Sequence, residues 1–259
     1  MKILVSPTKT MAFDKTPSPL ALKMSQPRFE NESGILNRQL QPLDFKKLKQ
    51  LFKVSDGLTQ KTLDQIQNFA QAVPEPALFV FQGEAFKTMN PRQFNPDQLA
   101  FANAHLQIFS GLYGVLRPMD GIKPYRLDFN TPLRLGAKGL KLFWKEKIIP
   151  FFEEVTQKDE VILNLASEEY SSILCSGNLG SGHLGPSHLK NQMITLQFRQ
   201  RENDKLKNQS VRAKQARGLF AAQIIQQQIT DATAIKKIIL ADYAYSEDLS
   251  SDTEWFFVR

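Results

Sequence analysis

The 259-residue chain has one cysteine, Cys175, so no disulfide can form within it. No apolar run approaches the roughly 18–20 residues of a membrane span. The first apolar stretch, Ile3-Leu4-Val5, meets Ser6-Pro7 after three residues, too early for the core of a secretory signal. These absences predict a protein of the reducing cytoplasm with no membrane partner. Three histidines and one cysteine also make a poor metal set, since zinc sites need three or four ligands at recognisable spacing. No metal and no cofactor are expected. What is present is globular: 42% hydrophobic and 10% aromatic residues exclude disorder throughout and supply one large core, so residues 1–259 are read as a single domain.

Charge is unevenly spread. Residues 242–254 hold Asp242, Glu247, Asp248, Asp252 and Glu254 without a Lys or Arg, which leaves residues 1–241 at +11 within a chain of net +7. Between 190 and 217, eight bases (Lys190, Arg199, Arg201, Lys205, Lys207, Arg212, Lys214, Arg217) face Glu202 and Asp204. Clustered bases gain affinity for phosphates by releasing counterions, although a solvated face has the same composition.

Lys2-Ile3-Leu4-Val5 reads as a short buried strand running into a hydroxyl-rich loop. Residues 13–42, with Pro17, Pro19, Pro27 and Pro42, suggest a wrapping segment with at most one short helix. From Leu43 a helix is expected, with Leu48, Leu51 and Phe52 on one face and Lys46, Lys47, Lys49 and Lys53 around it. After Val54-Ser55-Asp56-Gly57, Thr59 caps a second helix carrying Leu63, Ile66, Phe69, Ala70 and Val73. Ala77-Leu78-Phe79-Val80-Phe81 has the length of a buried strand, and Asn95-Pro96-Asp97 opens a helix. Residues 106–130 follow no simple period and read as a turn-rich corner or a site. Then come a helix over 139–152, a strand over 161–165, a short helix from Glu168 to Cys175 and a strand over 192–198. A helix over 213–229 and strands over 242–246 and 255–258 close a mixed α/β or α+β domain around a mixed sheet.

Gly180-Ser181-Gly182-His183-Leu184-Gly185 has dinucleotide-loop spacing but lacks the preceding strand and following helix, so a surface loop is expected. His183 and His188 near Cys175 do not complete a metal set. The helix pair over 43–73 can be an ordinary αα-hairpin. It can also be a helix-hairpin-helix whose backbone N–H groups hold one DNA phosphate strand, despite Asp56 in the turn and one glycine instead of two. Lys214 and Arg217, three apart on a helix, share a face.

Five blocks occur in order: Ser6-Pro7-Thr8-Lys9-Thr10, Ser110-Gly111-Leu112-Tyr113-Gly114-Val115-Leu116-Arg117-Pro118, Pro124-Tyr125-Arg126-Leu127, Asn164-Leu165-Ala166-Ser167-Glu168-Glu169-Tyr170 and Ala213-Lys214-Gln215-Ala216-Arg217-Gly218. On these blocks the chain resembles the YaaA family, also called DUF328 or UPF0246, over its full length. The resemblance is weakest over 171–190, where Ser176 to Ser187 is Gly-rich.

The resemblance implies the mixed α/β cantaloupe fold with a positively charged cleft and a helix-hairpin-helix. It also implies a cytoplasmic protein of the peroxide stress response that limits iron-dependent damage and binds duplex, bubble-containing or branched DNA. The expected DNA or phosphate contacts are Ser6, Thr8, Lys9, Lys53, Ser55, Gly57, Thr59, Ser110, Tyr113, Arg117, Tyr125, Arg126, Asn164, Ser167, Lys214 and Arg217. The mixture of Ser, Tyr, Asn and Glu with the bases leaves a second reading open. That reading is an enzyme acting on nucleic acid or a nucleotide in the same cleft, for instance by lysine-mediated processing of damaged DNA, with Lys9, Lys214 and Tyr125 as candidate catalytic groups.

Overall fold

A computed structural model describes residues 1–13, 23–175, 178–180, 183–184, 187–203 and 205–259. Its frame is an eight-stranded sheet. The strands are β1 (Lys2–Val5), β2 (Leu106–Ser110), β3 (Gly114–Leu116), β4 (Ile162–Asn164), β5 (Met193–Glu202), β6 (Lys205–Lys207), β7 (Ala244–Ser246) and β8 (Glu254–Val258). Their order across the sheet is β7-β8-β5-β4-β1-β2-β3, with β6 paired to β5. The five strands from β8 to β2 run parallel, and β7, β3 and β6 are antiparallel to their neighbours.

Parallel strands covered on both faces need uninterrupted apolar side chains. Ile3, Leu4, Val5, Ile162 and Leu163 are buried accordingly. Register places Asn164 opposite Thr195, so a polar pair lies within the sheet at the carboxyl end of β4.

Nine helices flank the sheet among the described residues: α1 (Glu30–Leu40), α2 (Phe45–Phe52), α3 (Asp56–Gln67), α4 (Ala77–Val80), α5 (Glu84–Met89), α6 (Pro96–His105), α7 (Leu140–Val155), α8 (Glu168–Ser171) and α9 (Ser210–Gln226). The signals at Asn95-Pro96 hold fully, because the Asn95 side chain accepts from the Gln98 N–H at 2.9 Å while Gln98 Oε1 accepts from the Asn95 N–H. α1 is the one helix described within the proline-rich segment; residues 14–22 lie outside the described residues.

Several local expectations are corrected. Ala77–Val80 is a helical turn instead of a strand, buried on every side. A short apolar run has no period to separate the two states, and Pro76 before it favours a turn. α3 starts at Asp56, not at Thr59. Thr59 is buried inside its first turn and donates its hydroxyl to the Ser55 carbonyl at 2.9 Å. α2 is capped by Asp44, which accepts from the Lys47 N–H at 2.8 Å. The segment after Glu168 divides into α8 and a 3-10 turn over Ser172–Leu174. Residues 106–116, expected to be irregular, form the β2–β3 hairpin, where β2 is fully buried and shows no alternation. Of the glycine-spaced loop, Asn178–Gly180 pairs with His183–Leu184, and residues 181, 182 and 185 lie outside the described ones.

α9 is fixed from two sides. Phe220 packs edge-on against Phe198 of β5 at 4.9 Å and Phe257 of β8 at 4.7 Å. On its other side Gly218 lies against α5, where a Cβ would overlap the Ala85 carbonyl and the Thr88 hydroxyl. Thr88 also donates to the Gln215 carbonyl at 2.9 Å, tying the two helices together. Because backbone cannot yield as a side-chain tip can, Gly218→Ala is expected to cost about 1–3 kcal/mol. Urea denaturation checks this, and an unchanged midpoint would show that α9 is not held by this contact.

Candidate functional site

The chain passes from β1 to β2 on one side of β1, whereas β4, on its other side, continues outward to β5 and β8. Loops leaving β1 and β4 at their carboxyl ends therefore diverge. In open parallel sheets ligands bind in the crevice opened by such a divergence. Here the two loops are stitched at their base. Ser6 Oγ accepts from the Ser167 N–H at 2.8 Å and lies 3.1 Å from Ser167 Oγ. Asn164 sets the second loop from below: its Oδ1 accepts from the Ala166 N–H at 2.9 Å and its Nδ2 donates to Thr195 Oγ1 at 3.1 Å. Asn164 is fully buried, so its role is to position the loop.

Above this stitch lies a cavity of about 480 Å³ walled by Ser6 to Thr10, Gln82 to Lys87, Ser167, Glu169, Lys214 and Arg217. Thr8 packs on Gly83, where a Cβ would come within 2.5 Å of its hydroxyl. Ser167, Glu169, Lys214 and Arg217 are shared with an adjoining cavity of about 300 Å³, whose far wall is Thr195, Gln197 and Arg199 of β5. Lys9 in turn is shared with a third depression lined by Lys53, Arg126 and Asp128. The three form one path from α9, past the β1 loop, to the turn between α2 and α3.

Along it the cations differ in setting. Lys214 is exposed at the mouth. Arg217, one helical turn further on, is withdrawn: its Nε is buried and has no hydrogen-bond partner. Burial first, and then the neighbouring charge of Arg199, pushes its guanidinium down to about 10, still a cation at neutral pH. Arg199 is also lowered by burial, with Glu254 acting against that shift. Lys9 Nζ is ion-paired to Asp128 at 2.8 Å with its side chain 54% exposed. Such an amine lacks the desolvation that makes a lysine nucleophilic.

At the far end, Lys53 closes α2 in the left-handed region (φ 51°). Three residues, Lys53 to Ser55, join α2 to α3. Ser55 and Gly57 are exposed, and Asp56 is ion-paired to Lys49. Thr59 faces inward and is not part of this surface.

Not every expected residue reaches the path. Arg117 follows β3, which runs antiparallel to β2 back toward the amino ends of the parallel strands, and its guanidinium is fixed to buried Asp120 at 2.9 Å and to the Gln26 carbonyl. Ser110, Tyr113 and Tyr125 form a buried cluster: the Tyr125 hydroxyl meets Ser110 Oγ at 2.7 Å, which also accepts from the Tyr113 N–H. Burial raises both tyrosine hydroxyls far above their usual range, so neither is a proton donor of use near neutrality. Cys175 is buried and its thiol pushed up to about 11 by desolvation. His105 meets the Met1 carbonyl and His188 the Lys145 amine, at separate places.

Sequence reasoning missed the β5 wall, Thr195, Gln197 and Arg199, although its signal was there. These polar residues alternate with Ile194, Leu196 and Phe198, and Thr195 and Gln197 are buried. A buried polar stripe at period two marks a face that lines something other than core. α5 was missed as well, being six residues long.

A family model described as peroxide stress protein YaaA matches residues 1–249. Among curated relatives, a UPF0246 protein of Desulforapulum autotrophicum is 40% identical, with 100% of this chain and 99% of that protein covered. A UPF0246 protein of Shewanella denitrificans is 36% identical, covering 100% and 98%, and one of Crocosphaera subtropica is 32% identical, covering 100% of both.

Two substitutions test the framework of the site. Asn164→Ala leaves the Ala166 N–H without its acceptor and is expected to cost about 1–3 kcal/mol. Tyr125→Phe removes one buried hydrogen bond and should cost about 0.5–1.5 kcal/mol. Denaturant titration reads both, and a loss of several kcal/mol for Tyr125→Phe would show that its hydroxyl holds more than Ser110.

Proposed function

Since the chain belongs to the peroxide stress protein YaaA family, which supports a role in the oxidative stress response, we propose that it serves that response by binding DNA along the path described above. The observation that carries this reading is the succession Lys214, Lys9, Arg126 and Lys53, contributed by four separate stretches of chain and gathered along one connected groove. Acids interrupt it at Glu169 and Asp128. Binding is therefore a matter of spaced phosphate contacts and not of uniform positive potential.

The α2–α3 turn forms one end of the interface. The start of a twelve-residue helix presents backbone N–H groups, and no atom crowds Gly57 within 4 Å, so a phosphate can approach the backbone closely. Asp56 at the same place is offset by Lys49. Recognition in this reading rests on backbone shape and distortion. Duplex, bubble-containing and branched DNA are the substrates that such a surface accommodates, and the cytoplasm is the compartment in which it meets them. The Gly-rich segment 176–187 has no part in this reading.

With about four phosphates neutralised, the logarithm of affinity should fall with the logarithm of salt at a slope of about −4, a loss of about 10²-fold between 50 and 200 mM. Fluorescence anisotropy on a bubble-containing duplex and a fully paired one measures this. A change under about threefold over that range would remove the phosphate-driven mode.

A further inference from the structure

Arg217 poses a problem that a surface DNA contact does not solve. Its guanidinium is withdrawn into the corner between α9 and β5, its Nε has no partner, and among the described residues no carboxylate lies within ion-pair distance of it. Arg199, another guanidinium, lines the same corner and acts on it. A buried cation beside a second cation is costly unless an anion joins them. Salt bridges elsewhere on this protein are abundant, Lys9 with Asp128 and Arg117 with Asp120 among them. Arg217 is thus set apart from its peers.

The surroundings are built for a small polar ligand. Thr195 and Gln197 of β5 extend the wall beneath Arg199, Ser167 and Ser210 contribute hydroxyls, and Lys214 stands at the opening. The cavity measures about 300 Å³ and joins the one of about 480 Å³ above the β1 loop. A duplex laid across the groove cannot bring an internal phosphate into such a corner. A group at the end of a chain can enter it. Two guanidiniums and an ammonium also match a phosphate monoester, which carries up to two charges and three free oxygens, better than a diester with one charge and two. Glu168 and Glu169 line the same cavity and disfavour a longer stretch of polyanion there.

We propose that the Arg217, Arg199 and Lys214 corner is a subsite for one terminal phosphate monoester, carried by a nucleotide unit whose remainder occupies the larger adjoining cavity. This rests on the proposed DNA groove only for what carries the phosphate, a strand end or a free mononucleotide. The corner itself is read from the unpaired cations.

The test uses the full chain. Calorimetric titration compares a four-residue oligothymidylate bearing a 5′-phosphate with the same oligomer bearing a 5′-hydroxyl, and adenosine 5′-monophosphate with adenosine. A preference of at least about tenfold for the phosphorylated member of either pair is expected. Preference in the oligomer pair assigns a strand end, and preference in the mononucleotide pair alone assigns a free nucleotide. Equal binding, or no binding, by both members of both pairs overturns the subsite.

Arg217→Met should abolish the preference for the phosphorylated member of each pair. It should also raise the thermal midpoint in the absence of ligand, because an unpaired buried charge is removed. Inorganic phosphate should raise the midpoint of the wild type and not that of Arg217→Met. A variant that is less stable than wild type and retains the preference would show the guanidinium to be structural. If Arg217→Met does not fold, Lys214→Ala, at an exposed position, should reduce the preference about threefold or more, and an unaltered preference would contradict the assignment. Loss of salt-dependent duplex binding with the end preference intact would overturn the groove and leave the subsite standing.

Discussion

Everything in the site follows from the way the chain leaves two neighbouring parallel strands. β1 leads to β2 on one side and β4 leads to β5 on the other, so the loops at their carboxyl ends part and leave an opening above the sheet. A gap of this kind fills with water or side chains unless its rims are held. Here the base of the gap is closed by Ser6 and Ser167, and Asn164 fixes the second rim through the Ala166 N–H. These contacts are short, local and buried or half-buried. None of them needs a ligand to form, so the shape of the cleft is set by the fold before anything binds.

The charges on the rim are less uniform than a basic isoelectric point suggests. Of the cations that folding gathers, Lys9 is shared with Asp128, Lys214 is open to solvent, and Arg217 is half-buried, its Nε enclosed and without a partner among the described residues. The eight bases between 190 and 217 are likewise divided: Lys190 lies before β5 near Glu153, while Lys207 is paired with Glu202 at the far end of that strand. Net charge thus describes long-range attraction for a polyanion. Affinity at a given point depends on which cations already have partners.

Local signals in the sequence translated well where the interaction itself was local. Asn95 and Gln98 cap α6 within four residues, and the runs at Lys2–Val5 and over 161–165 were apolar enough to read as buried strands. The strand expected over 77–81 failed because five apolar residues suit a buried turn as well as a strand. The site was legible as a set of blocks but not as a geometry. Arg117 and Arg126 sit in similar motif contexts, yet the reversal of direction at β3 carries the first away and leaves the second near Lys9. The partner that claims Arg117, Asp120, is three residues along the chain and could have been weighed. Tyr125 looked reactive in sequence, but whether a tyrosine hydroxyl meets solvent or a buried serine is decided by packing across distant segments. The β5 stripe of Thr195, Gln197 and Arg199 was the reverse case, a pattern visible in the residues whose meaning emerged only with its burial.

α9 joins the mechanical and the electrostatic sides of the molecule. Ala213, Ala216 and Gly218 are buried small residues on the helix that carries Lys214 and Arg217. They let its backbone settle against α5 and β5, and Gly218 tolerates no larger side chain against Ala85. That closeness is what draws Arg217 below the surface while Lys214, three residues earlier, stays in solvent. A bulkier helix would stand further from the sheet, and both bases would then be ordinary surface cations with hydrated, flexible heads. The Ala-Lys-Gln-Ala-Arg-Gly sequence is therefore one device: its small residues set the depth at which its charged residues operate. Close packing contributes stability that a guanidinium with an enclosed, unpartnered Nε takes away, so the sequence of this helix does not maximise its own fit.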